Sequence, residues 1–333
     1  MIRKENGAAV MAIVGLMFTV MIPASADAPI PPVSGSAGST VPPVSKDVPG
    51  YTPKGPIEAK NQVQGPWAVS QTVSTEACDR EQRLCDIWYP SDLGANPLPG
   101  QQDGFKHPVI AWANGSGQTP AVYAYYLQHL ASWGFIVVAS RDDQTGDGGT
   151  TADAATYIFE QDKLPSSVFH DKVDTTNVGA AGHSQGGAAI ANLHAHASPI
   201  FTTYVGFRTA PGFFAGWCCG VTPDTYAGSA VSASIFQWSS TSDSGTPDWY
   251  DAVPETAQKA YARLEHTHHG DIGGNPGCLD AGCGQGAYGY LGYSTAWLMW
   301  QLQGAADGKA PFEQEGEFFR PEPNWSQSLS NVW

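Results

Sequence analysis

The chain has 333 residues, with 31 acidic and 16 basic side chains and a formal net charge of −15 at pH 7. Such an acidic surface repels nucleic-acid phosphates and anionic lipid headgroups, so nucleic acid is excluded as an expected partner and solubility is the simplest role of the charge. The length suffices for one large domain with appendages, and no internal repeat divides the sequence.

Residues 1–26 have the pattern of a secretory signal peptide. Arg3 and Lys4 precede an apolar run at 8–22 that is short for a membrane span, and residues 24–26 (Ala-Ser-Ala) fit a cleavage site. An uncleaved anchor is the alternative. Cleavage removes two positive and one negative side chain and leaves a net charge of about −16. We therefore expect a secreted protein, extracellular or periplasmic, with no membrane attachment after cleavage.

Residues 27–62 are rich in Pro, Gly, Ser and Thr and contain almost no bulky apolar side chains. Such a segment cannot bury enough surface to offset its loss of conformational entropy. We therefore expect a disordered spacer over 27–62 and a single folded domain over 63–333.

Strand and helix patterns alternate from Trp67 onward. Residues 67–74 and 84–89 are predicted to form an antiparallel pair. The remaining predicted strands cover 109–112, 135–140, 178–181, 204–209, 234–239 and 260–265, the last in the chain, and the predicted helices cover 122–133, 151–161, 187–197 and 291–303. This alternation is typical of an α/β domain with a mostly parallel, doubly wound sheet and helices on both faces.

Six cysteines follow the predicted cleavage site, an even number that fits disulfide bonding in an oxidising compartment. Local pairing would join Cys78 to Cys85. It would also join Cys278 to Cys283, while Cys218 and Cys219 form a vicinal disulfide or bond elsewhere. All fifteen connectivities remain open from the sequence. A structural zinc site is disfavoured because no C-x-x-C pairs occur.

The chemistry is concentrated in residues 176–187, TNVGAAGHSQGG. A short apolar strand leads into the G-x-S-x-G pattern at 182–186, and an alanine-rich helix follows. In this context the glycines allow a turn so tight that the serine hydroxyl projects above the sheet, beside a helix N-terminus. Ser184 is therefore predicted to be a nucleophile. The alternative is a serine in a glycine-rich loop. It would fit a G-x-S-x-G pattern without flanking elements, but here a strand precedes the pattern and a helix follows it.

A serine nucleophile needs a base, and the base needs an orienting acid. In folds with this turn, the acid and then the base follow the serine on loops at the carboxyl ends of later strands. Asp243 comes directly after the strand at 234–239 and is the predicted acid. Asp248 and Asp251 are alternatives, set back by a proline turn.

The base is predicted to be His269, with His268 as the alternative, from the cluster EHTHHGD at 265–271. A metal site built from these histidines and Asp271 competes with this interpretation, but the triad already requires one of them. His183 is expected to pack or to line the rim of the site, because its side chain points away from the adjacent serine. Structural roles are expected for His194 and His196.

Attack on an ester leaves negative charge on the carbonyl oxygen, which requires preorganised donors. The backbone N–H of Gln185 is one predicted donor. The second is predicted in the loop Asn-Gly-Ser-Gly at 114–117, where Ser116 contributes its N–H and not its hydroxyl.

With these motifs in hand, the chain resembles the secreted bacterial cutinases and polyester hydrolases of the α/β-hydrolases, a group that includes enzymes degrading poly(ethylene terephthalate). It is more distantly similar to platelet-activating-factor acetylhydrolases and dienelactone hydrolases. The similar segments span about residues 63–312 and read HPVIAWANGSG, LASWGFIVVAS, KVDTTNVGAAGHSQGG, SSTSDSGTP, KAYARLEHTHH and YSTAWLMWQL. The resemblance implies an α/β-hydrolase fold and no cofactor. No metal is expected at the catalytic residues, whereas calcium binding by the acidic surface, as in some relatives, stays open. It also implies the triad Ser184, Asp243 and His269 with Ser116 and Gln185 as oxyanion donors.

Two departures from that group bear on the substrate. Its members usually have proline before the glycine of the oxyanion loop and an aromatic residue after it, where this chain has Asn114 and Ser116. One stacking wall is thereby lost, which disfavours aromatic polymers. The segment that carries a prominent tryptophan in those enzymes is longer here, and Phe213 or Trp217 is expected either to contact substrate or to pack under a loop.

The sequence thus predicts a secreted, monomeric serine carboxylic ester hydrolase, cutinase- or polyesterase-like. It would act through an acyl-enzyme on hydrophobic or short-acyl esters, whether small or polymeric. A lipase or a carbohydrate acetyl esterase with the same triad is the enzymatic alternative. A non-catalytic secreted binding protein, tethered by the spacer, is the alternative of another class.

Overall fold

The computed structural model describes residues 51–96, 104–196, 198–209, 212–220, 234–240, 248–265, 267, 269–273, 288–322 and 325–333. The strands within these ranges are β1 (Val69–Val73), β2 (Cys85–Pro90), β3 (His107–Ala113), β4 (Ile136–Ser140), β5 (Val173–His183), β6 (Thr203–Phe207), β7 (Ser234–Ser240), β8 (Lys259–Leu264) and β9 (Trp325–Ser330). The helices are α1 (Pro56–Gln62), α2 (Ala124–Ser132), α3 (Gly149–Lys163), α4 (Gln185–Ala195), α5 (Gly212–Cys219), α6 (Asp248–Ala252), α7 (Tyr288–Gln303) and α8 (Ala306–Lys309).

The described strands form one nine-stranded sheet in the order β1-β2-β4-β3-β5-β6-β7-β8-β9. The six strands from β4 to β8 in that order pair in parallel, whereas β1, β2 and β9 join antiparallel. The predicted α/β class and the mostly parallel sheet are therefore confirmed. Because the parallel strands share one direction, their carboxyl ends lie along a single edge of the sheet, where loops can bring distant residues together.

Two apolar clusters cover the two faces of the sheet. Alternate residues of β3 divide between them, Ile110 and Trp112 packing with α2 and α7, and Val109 and Ala111 packing with α3 and α4. Successive strand residues point to opposite faces, so a strand buried on both sides reads as a continuous apolar run. Helices therefore lie on both faces of the sheet, as predicted.

The predicted spacer over 27–62 is wrong at its C-terminal end. Residues 51–62 are described, and they include α1, which begins at Pro56 and packs on α7. Glu58 is fully buried, and His129 Nε2 lies 3.0 Å from the carbonyl oxygen of Asn61. Composition was misleading here because buried hydrogen bonds, and not apolar bulk, hold much of this segment. Residues 27–50 lie outside the described residues.

The prediction that 260–265 is the last strand is also wrong. A further strand, β9, pairs antiparallel with β8. Its sequence, WSQSLS, is mostly polar and half-exposed, as suits the edge of a sheet, so it lacks the apolar pattern by which the inner strands were recognised. The helix α5 was not predicted either.

Two disulfides are present among the described cysteines. Cys78 is bonded to Cys85, next to the predicted antiparallel pair β1–β2, and Cys218 is bonded to Cys219 as a vicinal disulfide. The proposed partners Cys278 and Cys283 lie outside the described residues. In the described part of the chain, every helix is too short or too polar to cross a lipid bilayer.

Candidate active site

Ser184 occupies the turn between β5 and α4. Its φ of 55° lies in the left-handed region, which a residue with a Cβ adopts only under constraint from its surroundings. The constraint comes from both sides, since Ser184 N–H donates to Phe207 O at 2.9 Å and Ser184 O accepts Ala188 N–H at 3.1 Å. The side chain is half-buried, so the hydroxyl is held in place and remains accessible.

The glycines on either side of this turn are required because there is no room for a side chain at either position. A Cβ added to Gly182 would lie 2.5 Å from Gly186 O, and one added to Gly186 would lie 2.1 Å from Ala113 O. Both distances are far below a real contact. The start of α4 therefore packs directly on the backbone of β3 and β5, which explains why this pattern folds as a turn at the carboxyl edge of the sheet.

His269 lies against the serine. Its Nε2 is 2.8 Å from Ser184 Oγ, although the two residues are 85 positions apart in the chain. The loop that carries His269 leaves the carboxyl end of β8 and runs into a short 3₁₀ turn at Asp271–Gly273. The serine hydroxyl has a proton to donate, so the bond is Oγ–H to Nε2 when the ring is neutral. This arrangement allows the imidazole to remove the proton from the serine.

Backbone donors flank the pair. Gln185 is the first residue of α4, so its N–H has no acceptor within the helix. In the facing loop, Gly115 N–H donates to Tyr123 Oη at 3.1 Å and Gly117 N–H donates to Asp143 O at 2.8 Å. Both neighbours of Ser116 thus use their N–H groups within the protein, and Ser116 lies exposed between them.

Asn114 holds this loop in place. Its side chain is fully buried, and Nδ2 donates to two carbonyl oxygens, those of Ser140 and Asp142, at 2.8 Å each. The receiving segment is itself fixed, because Thr150 Oγ1 donates to the Asp142 carboxylate at 2.7 Å. Asn114 therefore fixes this loop to the segment that follows β4.

Several predicted site residues lie elsewhere or outside the described ranges. Asp243, the predicted acid, and His268, the alternative base, are outside the described residues. Asp248 and Asp251, the alternatives to Asp243 as the acid, are exposed on α6. The competing metal site needs His266 and His268, which are not described, and among the described residues no cluster of three His, Cys, Asp or Glu side chains fits a metal ion.

The segment after β6 lies beside the turn. Cys219 Sγ is 3.9 Å from Gln185 O, which places the vicinal disulfide of α5 against the first turn of α4. Trp217 precedes that disulfide and is 79% exposed. This exposure argues against packing under a loop, one of its two predicted roles. Phe213 belongs to α5, and its side chain is outside the description.

Tyr123 is a site residue that the sequence did not indicate. Its hydroxyl contacts both the backbone of Gly115 and the ring of His183, and burial raises its pKa to about 12. No motif marks it, since it lies in a 3₁₀ turn at Pro120–Tyr123 before α2. His183 is buried, in agreement with its expected packing role, and His194 is fully buried among Tyr204 and Trp249.

Comparison with known proteins identifies no family: no family model matches the chain, and no curated protein matches it significantly. The chemistry of the site is therefore argued from its geometry. That geometry joins an accessible serine hydroxyl, an imidazole within hydrogen-bonding distance and backbone N–H groups on the adjacent loop and helix. Such an arrangement is suited to nucleophilic attack on a carbonyl group.

Proposed function

We propose that this protein is a secreted serine carboxylic ester hydrolase with an α/β-hydrolase fold, cutinase- or polyesterase-like. The observation that carries the proposal is the 2.8 Å approach of His269 Nε2 to Ser184 Oγ at a strained strand-to-helix turn. A serine in a glycine-rich loop has no need of a left-handed φ or of an imidazole from a loop 85 residues away.

In the acylation step, Ser184 Oγ attacks the ester carbonyl carbon while His269 Nε2 accepts the hydroxyl proton. The carbonyl oxygen becomes an oxyanion, which the N–H groups of Gln185 and Ser116 stabilise. When the tetrahedral intermediate collapses, the bond to the alcohol oxygen breaks and His269 donates its proton to that oxygen. Asp243 is proposed to orient the imidazole, with its Nδ1–H toward the carboxylate.

In the deacylation step, water takes the place of the alcohol. His269 removes a proton from the water as it attacks the acyl carbon, and the second tetrahedral intermediate uses the same two N–H groups. Its collapse releases the carboxylic acid and returns the proton to Ser184 Oγ. The reaction needs no cofactor.

The proposed substrates are hydrophobic or short-acyl esters. Trp217 is 79% exposed on α5, the helix whose Cys219 contacts the first turn of α4, and is proposed to offer an apolar surface to the substrate. Secretion is supported by the signal-peptide pattern at 1–26 and by the Cys78–Cys85 disulfide, since such bonds persist in oxidising compartments.

The test is hydrolysis of p-nitrophenyl esters from acetate to palmitate by the wild type, by Ser184→Ala and by the control Ser70→Ala, which changes a serine on the edge strand β1. We expect hydrolysis with a preference for short chains, loss of activity in Ser184→Ala and full activity in the control. Preference for long chains would move the assignment to a lipase, and activity confined to acetylated carbohydrates would move it to an acetyl esterase.

An active-site-directed fluorophosphonate separates enzyme from binding protein. The wild type is expected to be labelled and Ser184→Ala is not. A wild type that stays unlabelled and hydrolyses no ester would refute the proposal and favour a non-catalytic binding protein.

A further inference from the structure

His183, the residue before the nucleophile, connects two halves of the site that are distant in the chain. It is 5% exposed, and its ring lies between Tyr123 and His269, with ring centroids 5.6 Å and 4.9 Å away. Neither neighbour belongs to β5 or α4. The first precedes α2, and the second lies in the loop after β8.

A chain of hydrogen bonds runs through this ring. Gly115 N–H donates to Tyr123 Oη at 3.1 Å, Tyr123 Oη lies 2.9 Å from His183 Nδ1, and His183 Nε2 lies 2.7 Å from the backbone carbonyl oxygen of His269. One end of the chain is the oxyanion loop. The other end is the backbone of the residue whose side chain contacts Ser184.

Only one tautomer of His183 satisfies all three bonds. A carbonyl oxygen can only accept, so Nε2 must bear the proton that goes to His269 O. In a neutral ring Nδ1 is then an acceptor, and it accepts the Tyr123 hydroxyl proton. The Tyr123 oxygen in turn accepts the N–H of Gly115.

The Tyr123 hydroxyl is protonated at neutral pH, as this chain requires. Burial raises the pKa of Tyr123 to about 12, so its hydroxyl keeps the proton that it donates. A charged His183 would turn Nδ1–H toward the Tyr123 oxygen and deprive the hydroxyl proton of its acceptor. The neutral Nε2–H form has no such conflict.

Close packing leaves this chain little freedom. A Cβ added to Gly115 would lie 2.9 Å from Tyr123 Oη and 3.0 Å from His183 Nδ1. The backbone of the oxyanion loop thus rests directly on the two side chains. A shift of His183 would move the loop at one end and the His269 backbone at the other.

We infer that His183 is a positioning residue, which as its Nε2–H tautomer holds the oxyanion loop and the His269 backbone in register on either side of Ser184. The inference rests on the proposed function for its kinetic consequence. His183 thus does more than fill space, because its hydrogen bonds fix the positions of two segments of the site. The serine, the base and the oxyanion loop are thereby aligned by one hydrogen-bonded chain.

The kinetic test compares four variants on a short p-nitrophenyl ester. His183→Leu removes both bonds, and we expect kcat to fall about 10- to 100-fold with KM changed less than about twofold, because alignment and not binding is lost. His183→Gln keeps a donor for the His269 carbonyl and is expected to recover most of that loss. Tyr123→Phe, the smaller change, is expected to lower kcat in the same way. The double variant His183→Leu with Tyr123→Phe should be slowed by less than the product of the two single effects, since the Tyr123–His183 bond is lost in both single variants.

His194→Leu is the matched control. It removes another buried histidine, on α4 and beside aromatic rings, without touching the chain. Its kcat is expected to equal that of the wild type even if its melting temperature falls. Unchanged kcat in His183→Leu, or a rise in KM in place of the fall in kcat, would overturn the inference. So would a folded His183→Gln that is as slow as His183→Leu.

The tautomer gives a readout that does not depend on ester hydrolysis. Nitrogen-15 chemical shifts of the histidine rings, assigned by comparison with His183→Gln, should show His183 in the neutral Nε2–H form at pH 7 to 8. An Nδ1–H or doubly protonated ring would refute the inference, whatever the enzyme does. If the wild type hydrolysed no ester, the proposed function would fail, and the tautomer together with the fluorophosphonate labelling rates of the same variants would decide the role of His183.

Discussion

Glu317 Oε1 accepts the backbone N–H of Glu58 at 2.7 Å, so a carboxylate from the far end of the chain caps the first helix, α1. Its other oxygen accepts Ile57 N–H at 3.2 Å. The Glu58 carboxylate is buried beside it, and accepts Lys54 N–H at 2.6 Å and the hydroxyl of Tyr51. The first turn of α1 therefore depends on a residue 259 positions later for its hydrogen bonds.

Replacing Glu317 by Ala is expected to lower the free energy of unfolding by about 1–3 kcal/mol, because one buried and one partly buried backbone N–H group lose their acceptor. Urea denaturation measures the effect. The control is Glu313→Ala, which breaks a half-exposed ion pair with Lys309 and is expected to cost at most about 1 kcal/mol. Equal losses in the two variants would show that the cap is not stabilising.

The pH dependence of stability is expected to differ in sign between two variants of the α1 contacts. Burial raises the pKa of Glu58 to about 7, so its stabilising contribution is complete below pH 4.5 and is lost as the pH rises through 7. Burial lowers the pKa of His129 to about 4, so its contribution is present above pH 6.5 and is lost as the pH falls toward 4. The two groups oppose each other between pH 4.5 and 6.5.

In Glu58→Gln only His129 still titrates in this window. The unfolding free energy of this variant should therefore rise with pH from 4.5 to 6.5 relative to wild type. His129→Gln leaves the carboxyl acting alone and should show the opposite slope. Each slope amounts to roughly 3 kcal/mol at most over its full range. Denaturation midpoints at pH 5, 6, 7 and 8 check the signs, and parallel profiles for the two variants would contradict the assignment.

Asn114→Ala is expected to lower kcat for a short ester about 10- to 100-fold with little change in KM. The substitution frees the oxyanion loop from Ser140 O and Asp142 O, so the Ser116 N–H is no longer preorganised. Steady-state kinetics beside Asn177→Ala, which removes an asparagine at the opposite edge of the sheet, gives the comparison. An unaffected kcat in Asn114→Ala would mean that the loop keeps its position without this side chain.

Gly186→Ala is expected to abolish activity and to destabilise the fold by several kcal/mol. Its Cβ would lie 2.1 Å from Ala113 O, a backbone atom of an inner strand that cannot move aside cheaply. Gly270→Ala, with open space around its Cβ, should change the melting temperature by little. If the two variants had the same melting temperature, the close packing of α4 on β3 would be contradicted.

Removal of the two disulfides is expected to have unequal effects. The Cys78–Cys85 bond closes a loop, and replacing both cysteines by Ala should cost about 2 kcal/mol through the entropy of the unfolded chain. The Cys218–Cys219 bond joins neighbours and restricts almost no loop, so the same double replacement should cost well below 1 kcal/mol. Thermal denaturation of the two double variants tests the difference, and comparable costs would contradict it.

Prediction from the sequence succeeded where one local pattern determines the structure. The apolar run of β3 predicted a strand buried on both faces, because its short length and its β-branched and aromatic residues favour a strand over a buried helix. The glycines around Ser184 predicted the turn, since only residues without a Cβ fit there. Both features depend on residues close together in the chain.

What the sequence did not reveal depends on contacts between distant residues. Tyr123 joins the site through a hydroxyl that reaches Gly115 and His183, and nothing in its neighbouring residues indicates this. The polar strand β9 is stable because β8 supplies its hydrogen bonds. The helix α1 is stable because Glu317 caps it. Local propensity is weak in such segments, and tertiary contacts decide their structure.

The meeting of the two ends of the described chain has a consequence for biosynthesis. Lys54 Nζ donates to Phe318 O at 2.7 Å and to Ser328 Oγ at 2.9 Å, so the first described segment depends in part on residues more than 250 positions later. A ribosome delivers those residues long after Lys54, at sequence separations of 264 and 274. Until they emerge, the surface of α7 that α1 covers and the edge of β8 that β9 covers have no lasting cover. The nascent chain therefore cannot complete these contacts until residues 318–330 have been synthesised, and for that time the uncovered surfaces are prone to misassociate.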